Sequence, residues 1–247
     1  MRVVAVVQAR LGSTRLPGKV LLPLAGTTVV EHVLTRLRRC ARLDDVVLAT
    51  SALTADDPLV GSVGRLATVV RGSELDVLER YALAAEASRA DVVVRVTSDC
   101  PLIDPGVVDA VIGLLLDRAT ADGSLDVDYA SNTQQRSFPR GLDVEAFTRE
   151  ALDAAHREAR DPFEREHVTP FIWQRPERFA IAQHVWPTDE TARRWTLDTP
   201  EDYAFLKRVF DSLGARALDT PWTDVLALVA RHPKWEALNA HVQQKTR

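Results

Sequence analysis

Val3-Val4-Ala5-Val6-Val7-Gln8-Ala9-Arg10-Leu11-Gly12-Ser13-Thr14-Arg15-Leu16-Pro17-Gly18-Lys19 decides the fold, because a β-branched run leads straight into a loop of glycines, hydroxyls and cations. An apolar run without polar alternation suits a strand covered on both faces, the situation of a parallel sheet. In an open α/β sheet, ligands lie outside the carboxyl ends of the strands, where a Gly-bearing loop exposes backbone N–H groups to anionic oxygens. Ala9, Gly12 and Ser13 would make the close contacts there, and Arg10, Arg15 and Lys19 would supply the charge. Several fixed donors suit several phosphate oxygens, so the loop predicts a site for a nucleoside triphosphate. It is not a Walker loop, since five residues separate Gly12 from Gly18 and Val20 follows Lys19, nor is it a dinucleotide fingerprint.

Outward from this stretch, Val46–Ala49, Ala67–Val70 and Val92–Val96 repeat the β-branched pattern. Helical patterns lie between them at residues 28–42, 56–66 and 74–88, with another at 105–118. In the first, Val29, Val33 and Leu37 share a face with Val30 and Leu34. Strict alternation of strand and helix predicts an α/β protein with a mainly parallel, doubly wound sheet. Asp104 and Pro105 read as the N-cap and first residue of the fourth helix. Beyond about residue 125 the alternation weakens. Residues 126–131 and 141–147 read as strands around a Pro139–Gly141 turn, followed by helices at 148–159 and 163–174. A strand at 178–185 and helices at 200–213 and 222–231 complete the chain. Residues 125–190 are expected to form a small α+β subdomain within a single domain of residues 1–247.

Thirty-one Lys and Arg against 35 Asp and Glu leave a net charge of −4 with no long block of one sign. That excludes a general nucleic-acid or membrane-surface binder, which needs a basic face. Cys40 and Cys100 are too far apart for a zinc spacing, and no apolar stretch has the length of a membrane span. A reduced cytoplasmic protein is the expectation.

The stretches QARLGSTRLPGKVL (8–21), RGSELDVLERY (71–81), VRVTSDCPLID (94–104), SNTQQRSFPRGLDVEAF (131–147), FEREHVTPFI (163–172) and RWTLDTPEDY (194–203) carry a resemblance. They look like the spore-coat polysaccharide cytidylyltransferase-like proteins, relatives of the CMP-sialic acid and CMP-Kdo synthetases. The likeness runs through nearly the whole chain up to about residue 210. It implies a Rossmann-like nucleotide-diphospho-sugar transferase fold. It also implies transfer of CMP from CTP to a sugar or sugar acid, with release of pyrophosphate, for polysaccharide or surface-glycan synthesis. Mg²⁺ as cofactor and a homodimer follow from the same resemblance.

Asp99 follows the strand at 92–96, where a carboxylate beside a triphosphate needs a metal between the two. By resemblance Asp99 and Asp198 are the Mg²⁺ ligands, although Ser98 stands where the family usually has glycine. Asp99 capping a turn before Pro101 is the alternative. Thr199-Pro200-Glu201-Asp202 is a complete helix start, which accounts for Thr199 and Asp202 but leaves Asp198 outside the cap. Arg10, Lys19, Asp99 and Asp198 form the expected catalytic set, acting by positioning and charge compensation.

Ser73, Asp76 and Arg80 stand at a helix start. By resemblance they help to bind the nucleotide, while an Asp there also suits the helix dipole. Asp143 and Glu145 alternate with Leu142 and Val144, so on a strand both face one side, expected to line the acceptor pocket. Arg165 and His167, in an Arg-Glu-His stretch that the similar families use near the acceptor, join them, with a packed structural histidine as the alternative for His167. Arg140 replaces an acid common in the related proteins. It either shifts the charge preference for the acceptor or merely alters an exposed turn. The five Trp residues are assigned to core or interface. Two rivals keep the fold: a guanylyl- or uridylyltransferase acting on a sugar phosphate, and a nucleotide-sugar-dependent glycosyltransferase, which would release no pyrophosphate. A non-catalytic nucleotide-binding module would have little use for Lys19, Asp99 and Asp198 together.

Overall fold

The computed structural model describes residues 1–118, 123 and 125–243. In chain order the first half carries β1 (Val3–Gln8), a hairpin of β2 (Pro23–Leu24) and β3 (Thr27–Thr28), α1 (Val29–Leu37), β4 (Asp45–Ser51) and α2 (Asp57–Val63). β5 (Thr68–Gly72), α3 (Val77–Ser88), β6 (Val92–Thr97) and α4 (Pro105–Leu116) follow. The second half has β7 (Tyr129–Ser131), β8 (Glu145–Thr148), α5 (Arg149–Glu158), α6 (Pro162–His167), α7 (Pro170–Trp173) and β9 (Ile181–Gln183). It closes with α8 (Pro200–Leu213), α9 (Trp222–Ala230) and α10 (Pro233–Glu236).

The seven-stranded sheet has the order β5-β4-β1-β6-β8-β7-β9. β5, β4, β1 and β6 are parallel, as their β-branched runs predict. β8 is antiparallel to both β6 and β7, and β9 is parallel to β7. The alternating sides of β1 explain why its run is apolar throughout. Val3, Ala5 and Val7 pack into a core shared with α1, α4, α8 and α9, whereas Val4 and Val6 pack into one shared with α3, α5 and α7. The chain thus forms three layers, helix on sheet on helix. Residues 125–190 add β8, β7 and β9 to the β6 edge of the same sheet. Among the described residues no helix is long and apolar enough to cross a membrane.

Strand order reverses at β1: β4 and β5 lie on one side of it and β6 on the other. The loops that leave β1 and β6 therefore diverge, and a crevice opens at the carboxyl ends of these two strands. The β2–β3 hairpin follows the first loop. Its Ala25 and Gly26 both have positive φ, as a two-residue turn between right-twisted strands requires. Thr28 and Glu31 then form a reciprocal capping box that starts α1.

Two expectations need correction. The helix expected over 163–174 breaks into α6 and α7 at Val168, whose φ of 72° and ψ of −58° make a γ-turn closed by Thr169 N–H on the His167 carbonyl at 2.9 Å. Pro170 has no N–H to continue the helix and starts the next one instead. The strand expected over 141–147 pairs only from Glu145 onward. Before it, the Asn132 side chain bonds the Leu142 carbonyl at 2.7 Å and the Val144 N–H at 2.9 Å, taking the place of ladder bonds.

Candidate active site

The loop after β1 is held at both ends. Asp56, a buried residue at the entry to α2, accepts the Leu11 N–H at 2.7 Å and the Ser51 hydroxyl. Gly18, at φ 68°, turns the chain so that its N–H reaches the Leu11 carbonyl at 3.0 Å, and a short 3-10 turn, Lys19–Leu21, follows. Among the described residues the backbone N–H groups of Gly12, Thr14 and Arg15 hold no hydrogen bond. A loop of this kind retains donors for an anion.

Lys19 leaves that turn and ends at the centre of the crevice. Its Nζ donates to Asp99 Oδ2 at 2.7 Å, to Asp198 Oδ1 at 2.8 Å and to the Leu197 carbonyl at 2.7 Å. Arg15 and Arg194 reach the other oxygen of Asp198 at 3.0 and 2.9 Å. Thr97 Oγ1 donates to Asp99 Oδ1 at 2.7 Å. Burial works to lower the Lys19 pKa, but the carboxylates of Asp99 and Asp198 overcome it and hold the ammonium charged. Burial likewise works to raise Asp198, and Lys19, Arg15 and Arg194 together bring it below the usual carboxylate range. Asp202 does more than cap α8. Fully buried, it takes the Arg194 guanidinium on both oxygens and the Asp198 N–H at 2.9 Å, which fixes the segment before α8 that presents Asp198.

Asp99, Asp198 and the Leu197 carbonyl form an all-oxygen set of the kind hard divalent cations take. Among the described residues no group of three or more His, Cys, Asp and Glu converges as a metal site. A cation bound at this set would therefore complete its shell with water and phosphate oxygens.

Two hollows meet at this cluster. The first, of about 760 Å³, is lined by Ala9, Arg10, Gly12, Ser13, Arg15 and Lys19 from the loop, together with Asp76 and Arg80 of the α3 region. The second, of about 710 Å³, is lined by Arg140, Asp143, Glu145 and His167, with Thr133, Gln134, Arg136 and Trp173. Gln8, Arg15, Thr97, Asp99, Glu166, His167 and Asp198 border both. A ligand in one is thus presented to a ligand in the other across Asp99 and Asp198.

Several residues do not sit as expected. Ser73 lines neither hollow. Its hydroxyl accepts the Asp76 N–H at 3.1 Å and its carbonyl accepts Arg80, so it shapes the entry to α3. Arg165 borders the first hollow and not the second, because Asp76 holds its guanidinium through Nε at 2.9 Å and Nη2 at 2.5 Å. Asp76 also caps α3 through the Glu79 N–H. Glu145 faces the second hollow with both oxygens engaged, by Tyr129 and Thr169 on one side and Arg95 on the other. Burial pushes its pKa up, and Arg95 with the two hydroxyls overcomes this and holds it low. Trp173 lines the second hollow, while Trp195 is fully buried.

Sequence reasoning passed over Asp56, Arg95, Arg136 and Arg194. Arg95 carried a signal, a cation inside a β-branched run of a central strand. The others depend on partners 45, 7 and 8 residues away and had no local mark.

The family model for cytidylyltransferases matches residues 4–229. The chain belongs to the cytidylyltransferase family. It is 33% identical over 236 residues to the spore coat polysaccharide biosynthesis protein SpsF of Bacillus subtilis, covering 92% of this chain and 94% of that one. A 3-deoxy-manno-octulosonate cytidylyltransferase of Anaeromyxobacter dehalogenans is 35% identical over 183 residues, 68% of this chain and 72% of that one. Among solved structures, a cytidylyltransferase from Leptospira borgpetersenii superposes over 100% of both chains with a TM-score of 0.89 at 33% identity. The protein is accordingly a CTP-dependent nucleotidyltransferase with the nucleotidyltransferase fold.

Proposed function

We propose that this cytidylyltransferase joins CMP to a sugar or sugar acid, releasing pyrophosphate, in the cytoplasmic synthesis of a surface polysaccharide. The observation that carries the reading is the meeting of two hollows at Lys19, Arg15, Asp99 and Asp198. CTP would lie in the first hollow, its triphosphate against the loop of residues 9–19, and the acceptor in the second. An acceptor hydroxyl oxygen then bonds to the α-phosphorus and gives up its proton to solvent, while the bond from that phosphorus to the bridging oxygen breaks. Pyrophosphate leaves with the electron pair.

Arg10, Arg15, Lys19 and the loop N–H groups would neutralise and orient the phosphates. All three Lys19 N–H donors are taken, so Lys19 can serve a phosphate only by giving up at least one of these partners. Asp99 and Asp198, with the Leu197 carbonyl, would hold Mg²⁺, which when bound supplies charge neutralisation at the reacting and leaving phosphates. Asp76 and Arg80 border the same hollow and would act on the rest of the nucleotide, with Ser73 shaping their helix. Arg140, Asp143 and His167 would contact the acceptor. Two copies joined through residues 125–190 form the proposed homodimer.

The test is pyrophosphate release with each of the four NTPs against sugar acids and sugar phosphates, beside thermal unfolding with each NTP and Mg²⁺. CTP is expected to protect most, because selective binding to the folded state raises its stability. A preference for GTP, or release only from a sugar phosphate with UTP, would replace this reading with its first rival. Light scattering that shows a monomer at micromolar concentration would remove the dimer.

A further inference from the structure

We propose that Arg140 reads an anionic group, a carboxylate or a phosphate, on a polyhydroxylated acceptor and so selects which acceptors the enzyme takes. This rests on the assignment of the second hollow to the acceptor. The turn that carries Arg140 is not a free surface loop. Its N–H donates to the Arg193 carbonyl at 3.0 Å and its carbonyl accepts the Trp195 N–H at 2.7 Å, a one-residue bridge to Arg194. The next residue, Gly141, has φ of 107°, and a Cβ there would stand 2.6 Å from the Trp195 carbonyl carbon. The backbone of this turn is thus pressed onto the segment that leads to Asp198. Arg140 is fixed in the wall of the hollow, half-buried.

Every other cation on that wall is neutralised by the protein itself. Arg95 is paired with Glu145, and Arg136 lies along Asp143 with two bonds of 3.1 Å. Arg15 is taken by Asp198. Among the described residues the Arg140 guanidinium holds no hydrogen bond or ion pair. Burial pushes its pKa down, and the nearby guanidinium of Arg136 adds to this, with Asp143 opposing and Arg194 reinforcing. A half-buried cation beside other cations gains from an incoming anion. The planar guanidinium fork suits a carboxylate or phosphate in two parallel bonds. Thr133, Gln134 and Thr196 on the same wall offer neutral partners for sugar hydroxyls. Arg140 also borders a smaller hollow of about 430 Å³, where Arg193 pairs with Glu190 and Glu236 and Asp189 stands nearby.

The experiment uses the full chain and three probes: 3-deoxy-manno-octulosonate for a carboxylate, glucose 1-phosphate for a phosphate, and glucose as the neutral control. Binding of each is titrated by calorimetry or ligand-observed NMR on the wild type, Arg140→Ala and Arg140→Lys, with thermal protection by CTP measured in parallel. At least one anionic probe is expected to bind while glucose does not, and which one binds tells carboxylate from phosphate. Arg140→Ala should weaken that binding by about 10- to 100-fold, the scale of a lost charge-assisted pair. Arg140→Lys should recover part of it, with CTP protection unchanged in both variants. Equal affinity for glucose and the anions, no binding of either anion, or an Arg140→Ala loss within about twofold overturns the proposal. Absence of CTP protection in the wild type would instead strike the assignment of the first hollow, so the two failures are told apart.

Discussion

Replacing Lys19 by methionine leaves Asp99 and Asp198 facing each other without the ammonium that joins them. Their nearer oxygens, each within 2.8 Å of one nitrogen, lie no more than about 5.5 Å apart. At an effective dielectric of about 20, two unit charges at that separation repel by about 3 kcal/mol. The three side chains are 12%, 20% and 13% exposed, so solvent screens little of this. Arg15 and Arg194 remain on Asp198 and reduce the net loss to about 2 kcal/mol. The cost exists only while both carboxylates are charged. It therefore disappears as pH falls and one of them takes a proton, and it also disappears when a divalent cation takes the place of the ammonium. Urea midpoints of wild type and Lys19→Met at about pH 7.5 and pH 5, with and without about 10 mM MgCl₂, read the effect directly. Mn²⁺ binding without nucleotide, followed by electron paramagnetic resonance, should strengthen in the variant by at least about tenfold. A loss that is the same at both pH values and unrelieved by Mg²⁺, with Mn²⁺ binding unchanged, would refute the reasoning and leave Lys19 a packing residue.

Asp99→Asn should lower turnover at saturating CTP and Mg²⁺ by at least about 10²-fold, measured as pyrophosphate release. Its stability should fall by no more than about 2 kcal/mol, because Lys19 loses one of its two carboxylates but keeps Asp198, and the amide oxygen can still accept from Thr97; near-normal turnover with a loss of stability would make Asp99 a structural residue. Gly141→Ala should cost about 3 kcal/mol or more by denaturant unfolding, since it adds both a positive-φ strain and a 2.6 Å backbone clash, and a neutral result would contradict the docked turn. Glu145 and Asp198 are held below their unfolded pKa values, so their contribution is complete above about pH 5 and is lost as pH falls through the folded values. Stability should begin to decline below about pH 7, because burial holds His32 and His184 below their ordinary pKa and only the unfolded chain then takes up their protons, and it should fall more steeply below about pH 4.5, with a shallower limb there in Glu145→Gln; identical limbs below about pH 4.5 in the two proteins would exclude Glu145 as a contributor.

What the sequence determined by itself are the features whose causes are local. The β-branched runs at β1, β4, β5 and β6 and the helices between them are local patterns, and so are the caps at Asp104 and Thr199. The loop of residues 9–19 stands out as a candidate anion site because a strand, two glycines and three cations are adjacent in the chain. Pairing was not local. Nothing near Asp198 announces that Lys19, 179 residues away, bonds it, or that Asp202 and Arg194 fix the segment that carries it. The place of Arg165 was not legible because Asp76, 89 residues earlier, holds it against the first hollow. The break at Val168 has a visible cause in Pro170, but its γ-turn depends on how α6 and α7 pack. Arg140 was ambiguous for the same reason. A turn of Pro, Arg and Gly reads as exposed, and only the Trp195 backbone lying against Gly141 makes it part of a wall. Elements follow from neighbours in sequence, whereas the charge balance of a site follows from which distant side chains the sheet order brings within a few ångströms, and that order is set by tertiary packing.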